Sequence, residues 1–345
     1  MEVEKVILAA PRGFCAGVEK AIKALDWMTR VFEPPVYCYH EIVHNQFVVD
    51  YFKRLGVVFI DDVRDVPAGA PIMLSAHGSP PEVVERAQRS GGAVVDAVCP
   101  LVTKVHHELK VRAKKGYTVL YVGHEGHEEA VGTMAVAPES VHLIDSIEAI
   151  DRLKNGEGPF ALLSQTTLSL DEWQNLRDHA VAVFPDIWMP NRSDLCFATT
   201  NRQAALRAIA AKADAVIVIG SANSSNTVAL SKVAESSGCK KVLRVNSASE
   251  LPDDLSGIVA VTAGASAPES LVEEVVARLN PRNGLATEAE TVEDEYFPPP
   301  PELRETLRAL AAFLDVALAV PTASTFDSQL DRSFTAAQVL SSANR

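Results

Sequence analysis

Three widely separated cysteines each stand at the entrance of a predicted helix. Cys15 lies between VILAA and GVEKAIKAL, Cys99 lies in AVVDAVCPLVTKV, and Cys196 lies in DLCFATTNRQAAL. A thiol in such a turn lies beside the positive end of a helix dipole, which favours the thiolate. Because all three share this setting, we predict that they converge on one point and bind a metal centre.

The residues alone leave the nature of that centre open between two alternatives. The sequence contains no CxxC pair, and its five cysteines are too widely spaced for a disulfide framework. Three isolated thiolates suit a [4Fe–4S] cluster whose fourth iron is open to substrate. A Cys–Cys–Cys–His zinc site is the alternative. Cys38 and Cys239 are expected to be small buried hydrophobes.

Histidines and one glutamate occupy other predicted strand-to-helix turns. His44 lies in EIVHN, His77 in SAHGSPP, and His124 and His127 in GHEGHEE. Imidazoles that converge on one pocket suit an anion, especially phosphate oxygens. Glu129 follows directly and is a candidate proton donor if burial keeps its pKa high.

Hydroxyl and amide side chains mark further loops of the same kind. The run AVIVIG is followed by Ser224, Ser225 and Asn226, which open a helical pattern. Ser266 has the same setting after the run GIVAV. Such side chains cap helices, and backbone N–H groups at a helix start also bind phosphate. Neither loop matches a Walker or dinucleotide fingerprint, so ATP and NAD are not predicted.

Eleven apolar runs alternate with helical patterns along most of the chain. This order predicts an α/β protein with parallel sheets and right-handed crossovers. In such sheets ligands bind beyond the carboxyl ends of the strands, where the polar residues above fall. Since each of the three cysteines opens a segment of similar length, we also predict a threefold internal repeat.

Size and charge exclude several classes of function. The chain has 345 residues, 47% apolar content and a net charge of −13. The acidic balance argues against general affinity for nucleic acid. No run reaches the length of a transmembrane helix, and the N-terminus does not resemble a signal peptide. We therefore expect a cytoplasmic protein without a nucleic-acid or membrane partner.

Segment boundaries follow from the cysteine positions and from a change of pattern near the end. We predict α/β units at 14–98, 99–195 and 196–282, the last including an N-terminal strand at 1–13. Residues 283–345 are predicted to be an acidic, Pro-rich linker and a C-terminal extension that contains an amphipathic helix. Residues 321–345 are expected to be weakly ordered or to form an oligomer contact.

The ordered set of motifs resembles a known family. From residue 11 to about 268 the chain carries PRGFCAGV, HEIVHN, SAHG, DAVCPLVTKVH, GHEGHEE, SQTTLS, DLCFATTNRQ, GSANSSNT and GASAP. Together they are similar to the LytB-type 4-hydroxy-3-methylbut-2-enyl diphosphate reductases. The family motif GHPEVEGT reads GHEEAVGT here, so that Glu128 replaces its proline and Val131 its second acidic residue.

The resemblance implies three α/β units with small parallel sheets around a pseudo-threefold axis and a central [4Fe–4S] cluster. It implies that Cys15, Cys99 and Cys196 hold three irons, and that the fourth iron takes the substrate hydroxyl. Glu129 would supply protons, with Thr166 and His127 beside it. The implied substrate-binding set is His44, His77, His127, Thr166, Ser224, Ser225, Asn226 and Ser266.

The resemblance also implies a reaction. Two electrons, delivered singly by a ferredoxin or flavodoxin, would drive loss of water from an allylic diphosphate. Protonation of the allyl anion would give isopentenyl and dimethylallyl diphosphates, the last step of the non-mevalonate isoprenoid pathway. Two alternatives are a zinc phosphohydrolase that uses His124, His127 and cysteine, and a non-catalytic iron–sulfur sensor.

Overall fold

The computed structural model describes the backbone of residues 1–318 and 328–341, and the side chains of residues 1–313 and 328–341. Within these residues strands and helices alternate as the sequence predicts, and all strand pairs are parallel. The strands form sheets of five, four and three strands. The predicted class, α/β with three small parallel sheets, is confirmed.

The chain folds into two compact units, each built from several separate segments. The larger unit comprises Met1–Cys15, His44–Gln46 and Leu101–Asp294. The smaller unit comprises Ala16–Val43, Phe47–Pro100 and Glu295–Arg345. Each sheet draws its strands from one predicted α/β unit, except that the five-stranded sheet also contains the strand Leu285–Ala289 from the predicted linker. The boundaries at 98, 195 and 282, the pseudo-threefold axis and the central cluster stay predictions.

The five-stranded sheet of the larger unit is buried on both faces. Its strand order is β10-β9-β11-β1-β12, and apolar clusters cover each face. Because both faces are covered, its central strands are continuous apolar runs such as AVIVI, as is typical of parallel sheets. The strands are β1 (Glu2–Ala10), β9 (Ala215–Ile219), β10 (Val242–Val245), β11 (Ser256–Ala263) and β12 (Leu285–Ala289). The helices are α8 (Phe197–Ala210), α9 (Ser225–Ser236) and α10 (Glu269–Leu279).

The three-stranded sheet, also in the larger unit, has the order β7-β6-β8. Apolar clusters again cover its two faces. The strands are β6 (Thr118–Val122), β7 (Val141–Ile144) and β8 (Phe160–Ser164). The helices are α4 (Pro100–Lys114), α5 (Glu128–Met134), α6 (Ile147–Asp151) and α7 (Leu170–Val183). Helix α6 is only five residues long and was not predicted from the sequence.

The four-stranded sheet belongs to the smaller unit and has the order β3-β2-β4-β5. Its strands are three or four residues long. They are β2 (Val36–Tyr39), β3 (Val57–Ile60), β4 (Ile72–Leu74) and β5 (Val94–Asp96). The helices around it are α1 (Ala16–Val31), α2 (Gln46–Arg54) and α3 (Pro81–Arg89).

The C-terminal region differs from the prediction in two ways. The predicted linker begins with β12, which pairs with β1 and extends the five-stranded sheet. The predicted amphipathic helix is present as α11 (Pro301–Leu318), and two short helices follow, α12 (Ser328–Ser333) and α13 (Ala336–Ser341). Within the smaller unit α13 packs on α1, and the buried Val339 accepts a hydrogen bond from Tyr51. Residues 328–341 are therefore ordered, whereas 321–327 and 342–345 lie outside the described residues.

Candidate active site

Most of the predicted site residues lie in the larger unit, just beyond the carboxyl ends of its strands. Cys15 follows β1, His127 and Glu129 follow β6, and Thr166 follows β8. The serine and asparagine set follows β9, and Ser266 follows β11. Because parallel strands end at the same edge of a sheet, the loops after β6 and β8 share one sheet edge and those after β1, β9 and β11 share another. Cys99 and His77 belong to the smaller unit, where they follow β5 and β4.

Cys196 is the N-cap residue of α8. Its sulfur accepts a hydrogen bond from the backbone N–H of Thr199 at 3.3 Å and lies 3.0 Å from the Thr199 hydroxyl. Burial, and next the nearby Cys15 sulfur, raise the pKa of the Cys196 thiol to about 11. None of the five cysteines, all of which lie within the described residues, forms a disulfide bond. The larger unit thus brings two of the three predicted metal ligands together, with hydrogen-bond donors already aimed at one sulfur.

The turn that carries Cys15 is fixed by the neighbouring strand. The N–H groups of Gly13 and Cys15 donate to the carbonyls of Ala263 and Ala265, each at 3.2 Å. Gly13 has φ +68°, and a Cβ there would lie 3.2 Å from the Ala267 carbonyl oxygen. A side chain at this position would therefore meet both backbone strain and a close contact.

Glu129 and Thr166 form a buried pair, as the resemblance implies. The Thr166 N–H donates to Glu129 Oε1 at 2.7 Å, and its hydroxyl donates to Oε2 at 2.9 Å. Glu129 is only 3% exposed. Burial raises the pKa of this carboxyl group to about 7; the Thr166 hydrogen bonds oppose the rise and the charge of Asp194 adds to it. A carboxyl group with this pKa holds a proton near neutral pH and can release it, as a general acid requires.

His127 caps α5 and lies beside a second predicted histidine. Its Nδ1 accepts the N–H of Glu129 at 3.1 Å, so the neutral ring carries its proton on Nε2. The ring of His44 packs edge-on against that of His127, with centroids 5.5 Å apart. Two of the four imidazoles that were predicted to bind an anion are therefore neighbours in the larger unit.

His124 lies differently. Its Nε2 lies 3.0 Å from Glu172 Oε1. The hydrogen bond to His124 is the main reason that the pKa of Glu172 is lowered. Among the described residues of the larger unit, no three His, Cys, Asp or Glu ligand atoms lie within 4.8 Å of one another. The zinc site with His124, His127 and a cysteine of this unit therefore does not form in this geometry.

The predicted hydroxyl and amide residues hold neighbouring loops to one another. Ser224 caps α9 by accepting the Thr227 N–H at 3.4 Å. The amide of Asn226 donates to Thr199 Oγ1 at 3.3 Å and accepts the Ala265 N–H at 3.0 Å. The Ser266 hydroxyl donates to the His44 carbonyl at 2.9 Å.

Comparison with known proteins identifies the family of this fold and site. The sequence profile of the LytB protein family matches residues 6–280. The chain belongs to the LytB family. The family predicted from the motifs is therefore confirmed.

Named relatives of this LytB chain are 4-hydroxy-3-methylbut-2-enyl diphosphate reductases. The Rhodopirellula baltica protein is 45% identical over 87% of this chain and 96% of its own. The Beijerinckia indica protein is 45% identical over 87% of this chain and 97% of its own. The solved E-1-hydroxy-2-methyl-but-2-enyl-4-diphosphate reductase of Plasmodium falciparum is 31% identical, with a TM-score of 0.85 over 90% of this chain and 99% of its own.

LytB membership implies an iron–sulfur enzyme, and the donor set of this chain fits such a group. Cys15 and Cys196 are free, lie near each other and stand at the ends of ordered turns. Cys99, in the smaller unit, donates its N–H to the Ala76 carbonyl at 3.0 Å and is followed by Pro100, the first residue of α4. Thiolates are the usual ligands of iron–sulfur clusters.

The departures at Glu128 and Val131 leave the turn that carries Glu129 in place. Helix α5 begins at Glu128, where the family motif has proline, and His127 supplies the cap. Val131 is 49% exposed, so its side chain leaves the Glu129–Thr166 pair undisturbed.

One organising residue of this LytB site was not predicted from the sequence. Gln165 lies in the motif SQTTLS, directly before Thr166, and is fully buried. Its Oε1 accepts the His124 N–H at 3.1 Å, and its Nε2 donates to Thr167 Oγ1 and Ser225 Oγ, each at 3.0 Å. It therefore ties the loops after β6, β8 and β9 together. Its place between a predicted strand and Thr166 was the available signal.

Among the residues that the structure describes, none of the helices is long and apolar enough to span a bilayer.

Proposed function

We propose that this protein is a 4-hydroxy-3-methylbut-2-enyl diphosphate reductase, the terminal enzyme of the non-mevalonate pathway. The substrate takes up two electrons and two protons, its allylic C–O bond breaks, and water leaves. The products are isopentenyl and dimethylallyl diphosphates. The observation that carries this proposal is the buried Glu129 carboxyl, held by Thr166 in a LytB chain, with a pKa raised to about 7.

Glu129 acts as the general acid. Its proton goes to the allylic hydroxyl, which leaves as water. Thr166 orients the carboxyl group through two hydrogen bonds, so little reorganisation is needed when the proton moves. A second proton is added to a carbon atom of the substrate and completes isopentenyl or dimethylallyl diphosphate.

The diphosphate is bound by the residues of the neighbouring loops. His127 can donate through Nε2, because its Nδ1 is occupied by the Glu129 N–H. The N-terminus of α9 adds backbone N–H groups and a favourable dipole for an anion. We assign His44, His77, His127, Thr166, Ser224, Ser225, Asn226 and Ser266 to this set.

Cys15, Cys99 and Cys196 hold a [4Fe–4S] cluster in this proposal. When bound, that cluster supplies two electrons one at a time. A ferredoxin or flavodoxin is the proposed electron donor, and the predicted cytoplasmic location stays a prediction.

Anaerobic turnover of the purified, iron-loaded chain tests the proposal directly. With 4-hydroxy-3-methylbut-2-enyl diphosphate and a reduced viologen dye, we expect dye oxidation and both isomeric products by mass spectrometry. Cluster-loaded protein without turnover would support the sensor alternative instead. Phosphate release in air from zinc-loaded, colourless protein would support the hydrolase.

A further inference from the structure

A basic residue follows each of the three cysteines at nearly the same distance. Lys20 and Lys104 stand five residues after Cys15 and Cys99, and Arg202 stands six residues after Cys196. Each lies in the helix that its cysteine precedes, namely α1, α4 and α8. Lysine and arginine side chains are mostly exposed in folded proteins, so the burial of Lys20 and Arg202 requires a physical reason, whereas Lys104 is half-exposed. All three contact a segment that lies just before one of the three cysteines.

Arg202 shows the contact most fully. It is 1% exposed, and its guanidinium donates to the Gly13 carbonyl at 2.8 and 3.1 Å and to the Phe14 carbonyl at 3.1 Å. Phe14 is the residue directly before Cys15. The charge is balanced by Glu293, whose oxygens lie 2.9 and 3.0 Å from Nη1. Glu293 comes from the acidic part of the predicted linker.

Lys20 makes the corresponding contact in the smaller unit. Its side chain is nearly buried, and its Nζ donates to the Val98 carbonyl at 2.8 Å. Val98 directly precedes Cys99. The N–H of Val98 is held in turn by the carboxylate of Asp96 at 2.9 Å. The peptide groups that lead into Cys99 are therefore fixed on both sides.

Lys104 completes the pattern in the larger unit. Its Nζ lies 3.3 Å from the fully buried carboxylate of Asp194, two residues before Cys196. The other oxygen of Asp194 accepts the Ser164 N–H at 3.3 Å. This pair ties the segment before Cys196 to α4 and to the end of β8.

We propose that Lys20, Lys104 and Arg202 are positioning residues for the cysteine sulfurs. The helix after each cysteine supplies a cation that fixes the segment before another cysteine. Lys20 follows Cys15 and fixes the segment before Cys99, and Lys104 follows Cys99 and fixes the segment before Cys196. Arg202 follows Cys196 and fixes the segment before Cys15. Hydrogen bonds from a charged donor are strong and directional, so the carbonyl they hold resists rotation. The inference rests on the proposed function, in which these sulfurs hold the cluster.

The first test measures iron release from the anaerobic holoenzyme to a chelator. Because removing groups that orient metal ligands costs about 10- to 100-fold in metal affinity, we expect R202M to lose iron at least about tenfold faster than wild type. We expect a smaller acceleration for K20M and the smallest for K104M, whose lysine is the most exposed. R202K keeps the charge but not the planar fork, so it should fall between R202M and wild type.

Matched controls separate this role from general stability. Lys23 on α1 is also buried, but it pairs with Asp331 rather than with a cysteine segment. Arg207 on α8 pairs with Asp171 at the surface. K23M and R207M should release iron at the wild-type rate even where K23M lowers the melting temperature. Equal release rates for R202M and these controls would overturn the proposal.

The second test needs no iron and is specific to the order of contacts. In the full chain freed of metal, alkylation of each cysteine is followed by mass spectrometry. We expect faster labelling of Cys15 in R202M, of Cys99 in K20M and of Cys196 in K104M. In each case the labelled cysteine precedes a different helix from the one that carries the substitution. A change of labelling confined to the cysteine that directly precedes the substituted helix would contradict the proposal. Failure of wild type to bind iron would instead count against the proposed function.

Discussion

The N–H and hydroxyl groups of Thr166 both donate hydrogen bonds to the carboxyl group of Glu129, at 2.7 and 2.9 Å, in a fully buried setting. Two donors leave the carboxyl group one orientation. Burial nevertheless outweighs them, since the pKa of Glu129 is raised to about 7. The pair therefore combines a fixed geometry with a proton that is retained near neutral pH.

Replacing Glu129 by glutamine removes the proton donor and keeps the size of the side chain. We expect turnover to fall by about two orders of magnitude or more, as for loss of a general acid, while the Kd for substrate changes little. Steady-state turnover and anaerobic titration measure the two quantities. Glu125→Gln, an exposed change in the same loop, is the control and should retain wild-type turnover. A near wild-type rate for Glu129→Gln would remove this residue from the mechanism.

The pH dependence of turnover follows from the same pKa. The acid form of Glu129 dominates below pH 7 and is lost as the pH rises through about 7. The rate should therefore fall above pH 7, approaching tenfold per unit when proton donation limits it. Measuring kcat from pH 5.5 to 9 with saturating substrate tests this. Glu129→Gln should have a flat profile over that range, and an unchanged descending limb in this variant would assign the limb to another group.

Thr166→Val should move that limb to higher pH. The Thr166 hydroxyl favours the ionised carboxylate, so its hydrogen bond lowers the pKa of Glu129 against the effect of burial. Valine has nearly the same shape and leaves the backbone N–H in place. We expect kcat to fall because orientation is lost, and the midpoint of the limb to rise. A midpoint that falls would show that the hydroxyl does not stabilise the carboxylate.

The sequence predicted those parts of the site whose signals are local. Apolar runs that end in Gly, His or Cys located the turns, and the family resemblance implied that Thr166 lies beside Glu129. Long-range partners were not predictable in this way. The sequence around Glu293 does not indicate that this residue balances the charge of Arg202, which lies 91 residues away in the chain. Strand β12 was missed because its pattern LATEA is weakly apolar, and its position at a sheet edge lets it remain partly exposed.

Gln165→Leu tests the residue that links three loops. Leucine fits the volume but leaves the His124 N–H and the Ser225 hydroxyl without this buried partner. Such losses cost about 1–3 kcal/mol per unsatisfied group, so we expect a clear fall in the free energy of unfolding. We also expect KM to rise more than kcat falls, because Ser225 is assigned to substrate binding. The control, Gln174→Leu, changes an exposed glutamine of α7. Equal unfolding free energies in the two variants would contradict this role.

Serine substitution of the cysteines tests the assignment of ligands. Replacing Cys15, Cys99 or Cys196 removes one thiolate, and we expect each variant to lose most of its iron, its brown colour and its turnover. Cys239→Ser is the matched control, because this buried sulfur lies 3.5 Å from the Lys241 carbonyl and a hydroxyl can make the same contact. Iron content and the visible spectrum of anaerobically purified protein give the result. A full complement of iron with retained turnover in any of the three variants would exclude that cysteine as a ligand, whereas iron loss in Cys239→Ser would show that the effect reflects general instability.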